Sequence, residues 1–186
     1  MESKTLRILL RDHINQGELL DLIESELCRN AVSASSPAFE LIVLALEYCV
    51  DYPEHYHHPA EDAVYARLLQ RKPALRGRLV EIDRDHKLLS ALTNALAVAI
   101  SKAIEGGPVN AVSDTGARFV EHYRRHMKIE EAEIFPAARE HLNAADWDAV
   151  EAAIAIPKDP LFDEHIREAY HGLQRRIVQQ RQKNAG

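Results

Sequence analysis

The sequence predicts an all-α protein built as a four-helix bundle with additional helices at its C-terminal end. Three observations carry that prediction. Four long segments repeat apolar residues at alternating steps of three and four, the period of one helix face. Ala, Leu, Glu and Arg are abundant while aromatics make up only 6%, a balance that favours helix over sheet. No segment alternates apolar and polar residues with the period of two that a half-buried strand needs.

The first helix is expected over residues 4–29, where Leu6, Leu9, His13, Gln16, Leu20, Ile23 and Leu27 form one stripe. His13 stands in that stripe where an apolar residue would be expected. Ser33, Ser35, Ser36 and Pro37 make a turn and a cap for the second helix, expected over residues 38–71. Pro53 and Pro59 cannot both sit in an undistorted helix. A kink is therefore expected near Tyr52 and Pro53, with His57, Glu61, Val64 and Leu68 on one face beyond it. The third helix starts at Leu75 or Leu79 and ends near Ile104. Its stripe is Leu79, Ile82, His86, Leu89, Thr93, Leu96 and Ile100, a histidine again replacing an apolar member. Gly106, Gly107 and Pro108 stop it. The fourth helix is expected to begin near Asp114, a favoured N-cap, and to reach about His141. Phe119, His122, His126, Glu130, Ile134 and Ala137 face inward, and Pro136 should bend it near its end. A shorter helix is expected over residues 144–156, then a linker at Pro157, Asp159 and Pro160. A last helix is expected over residues 162–181, with Leu161, His165, Ala169, Leu173 and Ile177 near one face.

The 186 residues suit one domain, and a chain of that size buries roughly 70% of its extended surface without a covalent staple. The net charge of -6 leaves no basic face for nucleic acid; Arg175, Arg176 and Arg181 read as a solvated helix face. Cys28 and Cys49 are too few for a disulfide framework and read as two buried thiols, able to pair only if their helices met closely. The charged start, MESKTLRILLRDH, is unlike a signal peptide, and no apolar run approaches the roughly 20 residues of a membrane span. A cytoplasmic protein with neither nucleic-acid nor membrane partners is expected.

One buried histidine is commonly satisfied by a neighbour, but here His13, His57, His86 and His126 occupy the core stripe of four successive helices. Two of them have a glutamate one turn later, His57 with Glu61 and His126 with Glu130, and an i, i+4 pair shares a helix face. Burying two glutamates without a compensating cation is costly. Imidazole with carboxylate and no thiolate suits iron, manganese, copper or zinc rather than a structural zinc site. Two carboxylates bridging two ions inside a bundle make a diiron arrangement. Each residue also has a rival reading. His13 could fill polar space beside Gln16; His86 could sit on a solvated face; Glu61 with Asp62, and Glu130 with Glu131, could face water. His122, one turn before His126, is either a further ligand, a supporting donor or a rim residue. His55 and His58 flank His57 and point elsewhere on a regular helix. His141, His165 and His171 fall outside the pattern.

These residues resemble the hemerythrin-like, or HHE cation-binding, family. The matching features are Arg11-Asp12-His13, HHPAED from His57, Asp85-His86, and HMKIEEAEIFP from His126, over residues 5 to 142. The tail, with Asp146-Trp147 and Asp159-Pro160-Leu161-Phe162, resembles the extension common in bacterial members. The resemblance implies an up-down-up-down bundle over residues 1–142, with residues 143–186 packed on it or mediating association. It implies His13, His57, Glu61, His86, His126 and Glu130 as ligands of two iron ions, bridged by Glu61, Glu130 and an oxo or hydroxo group. The activities it implies are dioxygen binding, iron or oxygen sensing, and responses to nitric oxide. Oxygen-carrying members place a second histidine one turn after the third-helix ligand, and here that position is Ser90. Their fourth-helix carboxylate is an aspartate at a different spacing. His122 or a water would then supply the missing ligand, which argues against reversible oxygen carriage more than against iron.

The expected function is thus a non-haem diiron protein that binds or senses a small diatomic ligand (dioxygen or nitric oxide) or iron, with a second copy of itself or an unidentified protein as its macromolecular partner. A diiron redox enzyme is the first rival. Its ferritin-like version needs Glu-x-x-His on two helices; Glu54-His55-Tyr56-His57 supplies one run, Asp83 to His86 a near match, and His126 with Glu130 would be left over. A structural or signalling bundle with zinc or no metal is the second; zinc and manganese are also the expected substitutes for iron at the site.

Overall fold

The computed structural model describes residues 3–29, 37–154, 157–163 and 166–184. It is helical throughout, with no strand among the described residues. Four rods make the bundle. The first is α1 (Lys4–Arg29). The second is α2 (Pro37–Tyr52), a π-helical turn (Pro53–His57) and α3 (His58–Arg71). The third is α4 (Arg76–Ile104), entered through a 3-10 turn at Pro73–Leu75. The fourth is α5 (Asn110–Ile129), a second π-helical turn (Glu130–Ile134) and α6 (Phe135–His141). α1 and α5 run antiparallel, since Glu24 pairs with Arg124 and His13 with Glu131. α4 and α5 do too, pairing Arg78 with Glu133 and Asp85 with His122.

The kink expected at the prolines takes the form of the two π-turns. Pro53 has no N–H to continue the ladder, and the His58 N–H reaches back five residues to the Pro53 carbonyl. The exposed His55 ring nitrogen sits 3.0 and 2.9 Å from the Val50 and Asp51 carbonyls and occupies acceptors the irregular turn leaves available. Just before Pro136 the same geometry recurs, with the Phe135 N–H on the Glu130 carbonyl. The extra residue in that turn shifts the inward face by one position. Ala138 is therefore fully buried where Ala137 was expected, and Ala137 is half-buried.

Other departures are local. The fourth rod begins at Asn110, not Asp114, which is exposed within the helix. Gly106, at φ 94°, ends α4 early enough for Pro108 to open α5. α7 (Ala144–Ala153) begins with a capping box in which Asn143 and Asp146 exchange side-chain to backbone bonds. The last helix, α8 (His171–Asn184), starts nine residues later than expected. A turn and a 3-10 segment precede it, so Tyr170 is buried and Ala169 exposed. The serine turn before Pro37 and His165 lie outside the described residues. Cys28 is exposed and Cys49 buried, where two buried thiols were expected.

The core is in two parts. Leu20, Ile23, Phe39, Tyr48, Leu96 and Phe119 lead one hydrophobic cluster, and Leu6, Leu9, Val64, Leu68, Ile82 and Phe135 lead the other. Between them every rod contributes polar side chains. Gly116 lets α5 approach α1 closely: a Cβ there would meet a Leu27 methyl at 2.3 Å. α7 packs on α3 and α1, and α8 on α1 and α2. Arg176 pairs with the buried Glu26 at 2.6 Å and ties α8 down, while Arg175 and Arg181 are exposed, as a solvated face requires, Arg181 pairing there with Glu18. One difference from the sequence reading concerns α4. Its apolar stretch does reach the length and composition of a membrane span, yet Leu89, Leu92, Leu96 and Ile100 are core residues of the bundle.

Candidate metal centre

The polar layer between the two hydrophobic clusters holds Glu61 and Glu130, both at 0% exposure. His13 reaches them from α1, its Nε2 3.4 Å from Glu61 Oε1 and 3.4 Å from Glu130 Oε2. His57 Nε2 lies 3.1 Å from Glu61 Oε1. His86, on α4, places Nε2 3.4 Å from Glu61 Oε2 and 3.7 Å from Glu130 Oε1. His126 Nε2 lies 3.2 Å from Glu130 Oε2. All six side chains chosen from the sequence therefore meet.

Those separations are informative because hydrogen bonds do not explain them. Both Glu61 oxygens, Glu130 Oε2 and His86 Nε2 are buried and make no hydrogen bond. Donor atoms about 2.1 Å from one ion lie about 3.0 Å apart at a right angle and about 3.4 Å apart at a tetrahedral angle. The observed spacing fits shared coordination. Ligand atoms of His13, His57 and Glu61 lie within 4.8 Å of one another, as do those of His58, Glu61, His86 and His126. Glu61 belongs to both groups, so the two groups adjoin.

His58 is the residue the sequence reading placed elsewhere. It is 6% exposed, and its ring stacks on His86 with centroids 4.2 Å apart. The available signal was the spacing His57-His58-x-x-Glu61. Positions i+3 and i+4 both neighbour i on a helix, so Glu61 shares a face with each histidine. His122, by contrast, is not brought into either group. Its Nε2 lies 3.4 Å from Asp85 and its Nδ1 2.5 Å from Arg125. Of the outlying histidines, His171 is exposed and His141 half-exposed.

Three residues outside the six candidate ligands support the layer. Asp12, fully buried, takes His57 Nδ1 at 3.2 Å and the Tyr52 hydroxyl at 3.4 Å. Glu131 takes His13 Nδ1 at 3.0 Å, with its side chain 47% exposed. The Tyr65 hydroxyl donates to Glu130 Oε1. Carboxylates on the outer nitrogen fix which imidazole nitrogen faces inward.

The charges interlock. Burial works to lower His57, but the Glu61 charge and the Asp12 hydrogen bond overcome it and raise it to about 9. Burial opposes His86 as well, and Glu130 and Glu61 raise it to about 10. His13 is raised against burial by Glu130, Glu131 and Glu61. Burial prevails at His58, which is lowered, and at His126, lowered to about 4. Burial would raise Glu61, yet His57, His13 and His86 hold it well below the carboxylate range. Glu130 is likewise lowered, by His13, His86 and His126 against burial and the Glu61 charge. Two buried negative charges are thus answered from every side, as a cation would answer them.

A family model described as the hemerythrin HHE cation binding domain matches residues 4–138. No curated protein and no solved structure matches the chain.

Proposed function

The chain belongs to the hemerythrin HHE cation-binding family, and from that premise we propose that it holds two iron ions and binds or senses a small diatomic ligand, dioxygen or nitric oxide, or responds to iron itself. One observation carries the reading: two fully buried glutamates with orphaned oxygens, ringed by imidazoles from all four rods. His13 and His57 would hold one ion, and His58, His86 and His126 the other. Glu61 and Glu130 would bridge them, because each has imidazoles of both groups within 3.1 to 3.7 Å. His58 would take the place for which His122 was considered.

Bound iron would supply a redox couple and exchangeable coordination positions. The protein's part is to hold those positions in shape between the two hydrophobic clusters. The nitrogen-rich, thiolate-free set accepts iron, with manganese or zinc as substitutes, and nitrogen-rich coordination suits binding better than oxygen activation. Anaerobic titration with ferrous iron should saturate near two equivalents per chain. Protein purified from iron-rich medium should show near-ultraviolet absorption that responds to dioxygen or nitric oxide. Saturation at one equivalent, or a spectrum indifferent to both gases, overturns the proposal.

A further inference from the structure

A cavity of about 360 Å³ opens between α3 and α4 and ends on the polar layer. Its inner wall is made by His58 and His86, each at least nine-tenths buried. Neither ring nitrogen of His58 and not Nε2 of His86 has a hydrogen-bond partner. Its outer wall carries Glu54, Asp62 and Asp83 against a single cation, Lys87, which lies 2.6 Å from Asp83. Glu54 reaches inward, its carboxylate 3.9 Å from His58 Nδ1. Ser90, small and half-buried, leaves the passage open where a larger side chain would fill it. The larger cavity beside α1 differs in both respects: Lys4, Arg7, Arg11 and Lys158 make it basic, and none of the clustered residues lines it.

We propose that this acidic mouth is the port through which a divalent cation enters, drawn by Glu54, Asp62 and Asp83 and handed by way of His58 to Glu61. The inference rests on the metal-binding reading above and concerns the route rather than the site. Carboxylates gathered at a narrow mouth with low-dielectric walls focus their field and raise the local concentration of cations. The donors succeed one another inward: exposed carboxylates, the half-buried Glu54, the buried His58, then the fully buried Glu61. A hydrated ion can therefore exchange water for protein atoms one at a time, without a step in which it is bare.

The test is stopped-flow mixing of the metal-free protein with Co²⁺, followed by its visible absorption at several ionic strengths. Asp62→Asn with Asp83→Asn should slow uptake about tenfold at low salt and flatten its salt dependence, with the final Co²⁺ content unchanged. Lys87→Gln should act in the opposite direction and speed uptake. Ser90→Phe should slow it equally at every ionic strength, because it narrows the passage without changing charge. Wild-type rates and salt dependence in the double variant overturn the port. So does a lower Co²⁺ endpoint at an unchanged rate, which would make these carboxylates ligands. Failure of the wild-type protein to bind Co²⁺ at all shows instead in the endpoint, and it removes the metal centre together with its port.

Discussion

Glu130 and Glu131 are neighbours in sequence and differ in surroundings. Glu130 is fully buried between imidazoles, whereas Glu131 is half in water with one oxygen on the outer nitrogen of His13. Glu130→Ala should lose at least one of two metal equivalents, because the remaining bridge leaves two close cations less shielded from each other. The helix period alone points Glu131 to solvent and would make Glu131→Ala silent. The contact with His13 changes that expectation. The variant should keep both equivalents with affinity weakened roughly 10- to 100-fold, the usual cost of losing a carboxylate behind a ligating histidine. Metal analysis after dialysis against a chelator series separates the two; loss of metal from Glu131→Ala alone would show that the roles are exchanged. The histidines make a second pair. His58→Ala should release one equivalent and His122→Ala none, since only His58 shares a face with Glu61. Metal lost from His122→Ala and retained in His58→Ala would reverse that assignment.

At the scale of elements, the sequence identified the rods well wherever one period ran unbroken. All seven stripe positions of α1 are buried, and so are all seven of α4. It read less well where the period changes. An inserted residue at Glu130–Ile134 cannot be seen in a hydrophobic pattern, so Ala137 was given the place of Ala138. The six helix-borne ligand candidates were legible because a polar residue inside an apolar stripe stands out. Asp12 lies outside the apolar stripe, and the pattern gave no sign of its contact with His57, which depends on a partner from another helix. The C-terminal helices were the least legible, and their docking now yields two predictions. Leu173 is fully buried between α8 and the bundle, so Leu173→Ala should cost about 3 kcal/mol, read from denaturant unfolding; a cost near zero would mean α8 does not dock. α7 is held by Arg71, whose guanidinium lies 2.9 Å from Asp146 and depresses that carboxyl. A carboxyl with a depressed folded-state pKa contributes stability above its unfolded pKa of ~3.9. That contribution is lost as pH falls through the lower folded value. Trp147, the only tryptophan, sits beside it. Its emission should stay constant down to about pH 4 and shift below. In Asp146→Asn the shift should already be present at neutral pH. An acid transition unchanged by that substitution would assign it to another group.

At the scale of the whole molecule, the bundle is two hydrophobic clusters joined through a charged layer. The clusters share all four rods, so the chain should retain its helices without metal. The layer between them is the weak plane, because Glu61 and Glu130 then depend on protonated imidazoles for their counter-charge. Metal bound only by the folded state adds stability that grows with free metal, about 2.7 kcal/mol per site at a hundredfold excess over Kd. The melting temperature of the wild-type protein should therefore climb steadily with free Co²⁺. Glu61→Gln keeps the shape of the side chain but removes its charge and replaces one of its two candidate ligand oxygens with an amide NH2. Its melting temperature should be nearly independent of Co²⁺, whatever its value without metal. The comparison isolates the site from the scaffold, since any general loss of packing lowers both curves equally and only coordination changes their slope. If Co²⁺ raises the melting temperature of Glu61→Gln as much as that of the wild type, the stabilising ion sits somewhere other than between Glu61 and its ring of histidines.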